Sequence, residues 1–431
     1  MKSPVASVPA TAQTIRVLKF GGTSMGTTPE RMRAVAERVA AVHREGHPVV
    51  VVVSARGATT DELVADAQSA SAAPAAREMD QLLSTGEIVS AALLAIALKE
   101  AGVPAVSLTG AQAGIVASGQ HGDGRISEVE GSRLREVLRG GTVAVVTGFQ
   151  AVGATGDVVT LGRGGSDTSA VALAAALGAE VCEIYTDVDG IYNADPRIAA
   201  DARLLDRVGS TVMAEMAYSG ARVLHPRSVE LAARAGVSIH VRSAFSEEPG
   251  TTVVSDETGE EMLEDAQPVT GIAHDTDVAR VVIRPGTLAH RGTELFAALA
   301  EASVSVDLVS RVGDRDIGYG WDFTVARSHL DAVREVLAGL GCEADVHEPV
   351  AKISLVGAGL LSKPETTGRM LAALGRAGIE AYSVSTSQVR TSFTLPKAHC
   401  GRAVGLLHRE FRLDRPAETP GQALAGHAVA V

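Results

Sequence analysis

The sequence predicts an α/β protein with a doubly wound, mainly parallel sheet domain followed by two smaller βαββα repeats. Three observations carry this. Short β-rich runs alternate with longer helical ones from residue 15 to about residue 250. One of those runs, "PVVVVVSA", is apolar without a break, as suits a strand of a parallel sheet covered on both faces. After residue 268 a strand–turn–helix–strand–strand–helix plan of roughly 70 residues occurs twice.

In order along the chain, "MKSPVASVPATAQT" has no apolar core of signal-peptide length, and residues 1–14 read as a disordered leader. "IRVLKF" reads as a strand and "PERMRAVAERVAAVHREG" as an amphipathic helix ending at Gly46. "PVVVVVSA", "AVSL", "TVAVVTGF", "EVCEIYTDV" and "SIHVRS" follow as strands, with helices at "EIVSAALLAIALKEAG" and "DTSAVALAAALGA". This alternation assigns residues 15–254 to one domain, whose ligands belong at the carboxyl ends of its strands. The polar, acidic stretch at 255–267 reads as a linker. The repeats occupy 268–345 and 350–412, and 413–431 is a tail.

A chain of 431 residues suffices for two or three domains, each with its own core. It is 46% hydrophobic but only 3% aromatic, so Val, Ala, Leu and Ile must build those cores. A net charge of −12 argues against nucleic acid or an anionic membrane as partner. Cys182, Cys342 and Cys400 are widely spaced and form no CxxC pair. That pattern offers neither a zinc site nor a disulfide framework and fits a reducing cytoplasm. No apolar run approaches the ~18 residues of a membrane helix.

Five motifs carry chemistry. In "VLKFGGTSM", Lys19 ends the first strand and Gly21 and Gly22 turn into a helix, an arrangement that can cradle a phosphate or be a simple turn. In "VVVSARGATTDEL", the hydroxyls of Ser54 and Thr60 can meet a substrate carboxylate, or Thr60 or Asp61 can cap a helix. In "LLSTGEIVSAALLA", Glu87 opens an apolar helix, either complementing its dipole or binding a substrate ammonium. In "LGRGGSDTSA", Arg163 can fork around a carboxylate or phosphate. Gly164 and Gly165 give access there, and Ser166, Asp167 and Thr168 cap the next helix. "IYTDVDGIYNADPR" gathers Thr186, Asp187, Tyr192 and Arg197 without EF-hand spacing, and "SGARVLHPRS" adds Arg222.

These motifs, in this order, closely resemble the aspartate kinases of the amino-acid kinase fold, from about residue 15 to about 411. The C-terminal repeats resemble that family's paired ferredoxin-like ACT modules, which bind amino-acid effectors. The resemblance implies transfer of the γ-phosphoryl of MgATP to the side-chain carboxylate of L-aspartate. It implies that Lys19 neutralises the transferring phosphoryl, that Arg163, with Gly164, Gly165 and Ser166, holds the α-carboxylate, and that Glu87 meets the α-ammonium. Ser54 and Thr60 position the reacting carboxylate, and Asp167 orients substrate and magnesium-bound phosphate. Gly21, Gly22, Thr186, Asp187, Tyr192, Arg197 and Arg222 hold the nucleotide, Arg222 standing where the family usually has Lys. No resident protein-bound metal is expected.

The departures lie in the ACT-like repeats. Family patterns are altered at Ala289, at Arg311, at Glu365 and at Gln388; with Asp307 these mark the effector-site candidates. Feedback by lysine and threonine is therefore expected to be weak or absent. A homo-oligomer through the ACT modules is implied, and Met262 is a candidate internal start for a small subunit. The alternatives are a carboxylate kinase acting on glutamate or an aspartate analogue, and a non-catalytic amino-acid sensor.

Overall fold

The computed structural model describes residues 14–256, 268–284, 292–314 and 318–415. The leader up to residue 13, linker residues 257–267, Ala289 and the tail from residue 416 lie outside the described residues. The chain forms two compact units. One comprises 1–191, 204–214 and 223–259; the other comprises 192–203, 215–222 and 260–431.

The first unit carries strands β1 (Arg16–Phe20), β2 (Val49–Val53), β3 (Ala105–Leu108), β4 (Ile115–Ser118), β5 (Arg125–Val129) and β6 (Val143–Thr147). They are followed by β7 (Gln150–Val152), β8 (Val158–Thr160), β9 (Val181–Thr186), β10 (Arg207–Gly209), β11 (Ser238–Ser243) and β12 (Thr251–Val254). Between them run α1 (Gly22–Met25), α2 (Pro29–Arg44), α3 (Thr59–Ala70), α4 (Ala76–Glu100) and α5 (Ser132–Arg139). Then come α6 (Gly165–Leu177), α7 (Ser210–Tyr218) and α8 (Pro226–Ala235). The main sheet has the order β10-β12-β11-β9-β1-β2-β6-β3, parallel throughout except where β11 meets β12. The valine run of β2 is buried on both faces, as its sequence demands. Val49, Val51 and Val53 pack with α2 and α4, and α6 lies against β1 and β2. A second, four-stranded sheet of β5-β4-β7-β8 was not foreseen.

Two local expectations are corrected. The helix placed at Glu87 begins at Ala76, so Glu87 lies mid-helix and does not complement a dipole. Gly86 lies inside this helix where a side chain would not fit, since a Cβ there would come within 2.8 Å of the Ala55 Cβ. The resulting 25-residue helix meets the length and composition of a membrane helix. Its Asp80, Ser84, Glu87, Ala91, Leu94 and Leu98 are instead buried within the first unit. The caps also differ. Neither Thr60 nor Asp61 caps α3, whose N-cap is Ala58. Gly164, left-handed at φ 70°, is the N-cap of α6, so Ser166, Asp167 and Thr168 sit inside its first turn.

The second unit holds an antiparallel sheet ordered β14-β15-β13-β16-β18-β17. Its strands are β13 (Gly271–Ile283), β14 (Val306–Asp314), β15 (Gly318–Ala326), β16 (Ala344–Val356), β17 (Tyr382–Thr386) and β18 (Arg390–Pro396). Its helices are α9 (Gly292–Glu301), α10 (Leu330–Gly339), α11 (Glu365–Arg376) and α12 (Cys400–Glu410). The repeats are not laid simply end to end. β13 and β16, 13 residues each, pair from Gly271 opposite Val356 to Ile283 opposite Ala344. Ile272 thereby joins the core of the later repeat with Ile353, Leu355 and Phe393, while Ala344 and Val346 pack against the core of the earlier one. Residues 192–203 and 215–222, read from sequence as part of the first domain, pack here. Asn193 accepts the Ile272 N–H at 2.7 Å and donates its amide to the Leu413 carbonyl at 2.7 Å.

Candidate active site

Parallel strands point their unpaired carbonyl ends one way, and the loops leaving β1, β2 and β6 meet there. Gly22 accepts the Gly57 N–H at 3.0 Å, Phe20 accepts the Ser54 N–H at 3.2 Å, and Val53 accepts the Gly148 N–H at 2.9 Å. Gly22 must be glycine: a Cβ would lie 2.7 Å from the Ala55 carbonyl oxygen. Gly148 lets the first turn of α6 approach, since its Cβ would meet that of Ser166 at 2.7 Å.

Lys19 and Asp167 meet at this edge, Nζ to Oδ1 at 2.6 Å, both largely shielded from solvent. A Cβ on Gly21 would lie 3.4 Å from that ammonium, which places the charge beside the glycine turn. Beneath the pair, burial pushes the Cys182 thiol far up and Asp167 adds to the effect, so Cys182 stays protonated.

Arg163 is exposed and forms no hydrogen bond or ion pair with any other described residue. Glycines at φ 72° and 70° flank it. Gly164 also needs to lack a side chain because a Cβ would fall 2.1 Å from His225. His225 caps α8 by accepting the Arg227 N–H at Nδ1, and burial lowers its pKa.

Glu87 is 3% exposed. One carboxylate oxygen accepts the Ala55 N–H at 2.9 Å; the other has no partner among the described residues. Burial, against the opposing pull of the Ala55 hydrogen bond, raises its pKa from 4.5 to about 7. Such a group favours the folded state at low pH, because the folded chain keeps a proton that the unfolded chain releases near 4.5. The advantage shrinks as pH climbs through 4.5 and is gone above about 7, where the cost reaches about 3 kcal/mol. Glu87→Gln should therefore raise the Tm of the unliganded protein at pH 8 but not at pH 4; equal shifts at both pH values would contradict this.

Ser54 and Thr60 are half-buried, with hydroxyls unengaged by other described residues, Thr60 in the first turn of α3. Thr186 donates to Asp187 at 3.2 Å just after β9. Tyr192, Arg197 and Arg222 fall in the second unit. There Arg197 forks onto Asp195 at 2.7 and 3.0 Å, and Arg222 pairs with Asp275 at 3.3 Å. Among the effector candidates, Asp307 meets Lys352 at 2.8 Å and Arg390 at 3.2 Å. Burial works to raise the Asp307 carboxyl, yet Lys352 foremost and then Arg390 hold it below the usual range. Arg311 stacks 3.5 Å over the Tyr319 ring, Glu365 opens α11, and Gln388 is exposed.

Sequence reasoning missed Asp80. It is 1% exposed on α4 and receives hydrogen bonds from the Thr160 and Gly122 N–H groups, both at 3.1 Å. An acid seven residues before Glu87, on the same helix face, was the signal available.

Residues 14–243 match the model of the amino acid kinase family, and residues 353–411 match an ACT domain. An aspartokinase of Thermus thermophilus is 44% identical over 410 residues, covering 93% of this chain and 99% of that protein. An aspartokinase of Mycolicibacterium smegmatis is 45% identical over 414 residues, covering 92% and 96%. The crystal structure of E. coli aspartokinase III in complex with aspartate and ADP superposes with a TM-score of 0.78 at 25% identity, covering 92% of this chain and 99% of that one.

Proposed function

Because the chain belongs to the aspartokinases of the amino acid kinase family, we propose that it transfers the γ-phosphoryl of MgATP to the side-chain carboxylate of L-aspartate. A carboxyl with a pKa of about 4 is already ionised at neutral pH, so no general base is required. A carboxylate oxygen attacks the γ-phosphorus. The new O–P bond forms as the bond from γ-phosphorus to the bridging oxygen breaks, and ADP leaves with that electron pair. The chemical problem is the approach of two anions, which calls for fixed positive charge and N–H donors. Lys19, held by Asp167 beside Gly21 and Gly22, suits that task.

Glu87 carries the assignment of substrate. A buried carboxylate with one oxygen unpaired is a poor structural element but a good acceptor for an ammonium group. The unpaired guanidinium of Arg163 complements the α-carboxylate of the same zwitterion. Ser54 and Thr60 offer free hydroxyls to the reacting carboxylate. Thr186 and Asp187, just after β9, take the nucleotide. Among the described residues no three His, Cys, Asp or Glu side chains converge as a metal cage. A Mg2+ carried on the nucleotide's phosphates would supply charge neutralisation there, and Asp167 would orient the metal-bound phosphate.

ATP turnover with aspartate, glutamate and N-acetylglutamate tests the reading. Aspartate should be preferred by at least about tenfold in kcat/KM, and N-acetylglutamate, which lacks the ammonium, should not react. Turnover of N-acetylglutamate would overturn the role of Glu87. For aspartate, kcat/KM should rise with pH up to about 7 and then level, as Glu87 ionises; Glu87→Gln should remove that rise.

Weak feedback by lysine and threonine forms part of the same proposal. Asp307, a carboxylate suited to an effector's ammonium, is engaged by two internal cations, of which Lys352 is 5% exposed. Millimolar lysine and threonine should together leave most of the activity; strong, cooperative inhibition would refute this. We also assign the protein to the cytoplasm, which suits its three buried cysteine thiols, and to a homo-oligomer through the ACT modules.

A further inference from the structure

The Gly162-Arg163-Gly164 turn has little stiffness of its own, since both glycines adopt left-handed backbone conformations. What fixes the direction of Arg163 must therefore lie outside it. Upstream, the Asp80 carboxylate accepts the N–H and the hydroxyl of Thr160, and its Oδ2 also accepts from His121 at 2.7 Å. The Gly122 N–H completes the set. Three of these four contacts fall on Oδ2 and one on Oδ1, so both oxygens of the buried carboxylate are committed to the fold. Arg227 grips the next residue, donating to the Leu161 carbonyl at 2.6 Å. Two helical turns along the same face of α4 stands Glu87, fastened to the loop that carries Ser54 through the Ala55 N–H. One rigid helix thus sets the Arg163 turn and the Glu87 carboxylate at a fixed separation.

We propose that Asp80 is a positioning residue for the amino-acid substrate. Through Thr160 it aims Arg163, so that α-carboxylate and α-ammonium are read at a distance set by α4. This rests on the reading above, that Arg163 binds the α-carboxylate.

Asp80→Asn keeps the shape but puts an NH2 group against donors that need an acceptor. It should raise the KM for aspartate about tenfold or more, with the KM for ATP within about twofold. In an Arg163→Ala background the same change should add less than about twofold, because its effect passes through Arg163. Thr160→Val should raise the aspartate KM and Thr160→Ser should restore it; these carry the test if the Asp80 variant does not fold. Equal rises in both KM values, additivity with Arg163→Ala, or an aspartate KM unmoved by Thr160→Val would each overturn the proposal. If Arg163→Ala alone leaves the aspartate KM unchanged, the reading of Arg163 fails and this inference with it. If Arg163→Ala raises it and Asp80→Asn does not, only this inference fails.

Discussion

Lys19→Met should lower kcat by about 10³-fold at saturating aspartate and ATP, the size of effect seen when a preorganised charge is removed from a transition state. The ammonium is shielded from solvent, so its field is less screened than that of a surface lysine. Asp167 holds it in place before the substrates arrive, which removes the cost of ordering a flexible side chain during reaction. The substitution does more than delete a cation. It leaves the Asp167 carboxylate unpaired beside two incoming anions, which adds repulsion. Adding Asp167→Asn to Lys19→Met should not restore the rate, because the same carboxylate also orients the metal-bound phosphate. Steady-state kinetics on the single and double variants check both statements, and a single variant with kcat within tenfold of the parent would contradict the role of Lys19.

Arg163→Ala should raise the KM for aspartate by about 10²-fold, since two parallel charge-assisted hydrogen bonds are lost. Its guanidinium forms no hydrogen bond or ion pair with another described residue, so stability should hardly change. Arg163→Lys keeps the charge but not the planar fork and should recover only a small part. Thermal unfolding and the aspartate KM, measured together, separate this from a folding defect. An unchanged KM would count against the assignment.

The main sheet was legible because an uninterrupted valine run such as Val49–Val53 has few other homes. The glycine–hydroxyl order around Lys19 and Arg163 was equally readable, since chemistry there is written in local residue types. What escaped was set by contacts distant in sequence. Glu87 looked like the start of a helix because the Ala55 loop that needs the bare Cα of Gly86 lies more than thirty residues away. Asp80 went unread because its partners at 121, 122 and 160 lie at least forty residues further along the chain. Ser166, Asp167 and Thr168 looked like caps, yet a left-handed Gly164 already occupied that position. The pairing of β13 with β16 was hidden for the same reason: each repeat makes sense alone until its first strand is found serving the other.

That shared pair of strands has a genetic consequence. A gene fragment cut between the repeats would split both hydrophobic cores, because Ile272 and Val346 each pack across the cut. Reading from Met262 spares the whole sheet, yet discards residues 192–203 and 215–222. Such a product would lose Asn193, which closes the Ile272 N–H and the Leu413 carbonyl, and Glu215, the 3.0 Å partner of Arg390. Alanines 194 and 199 would leave the core with them. An independently translated C-terminal chain would thus inherit a complete sheet with an open seam, and it would need a partner chain to close it.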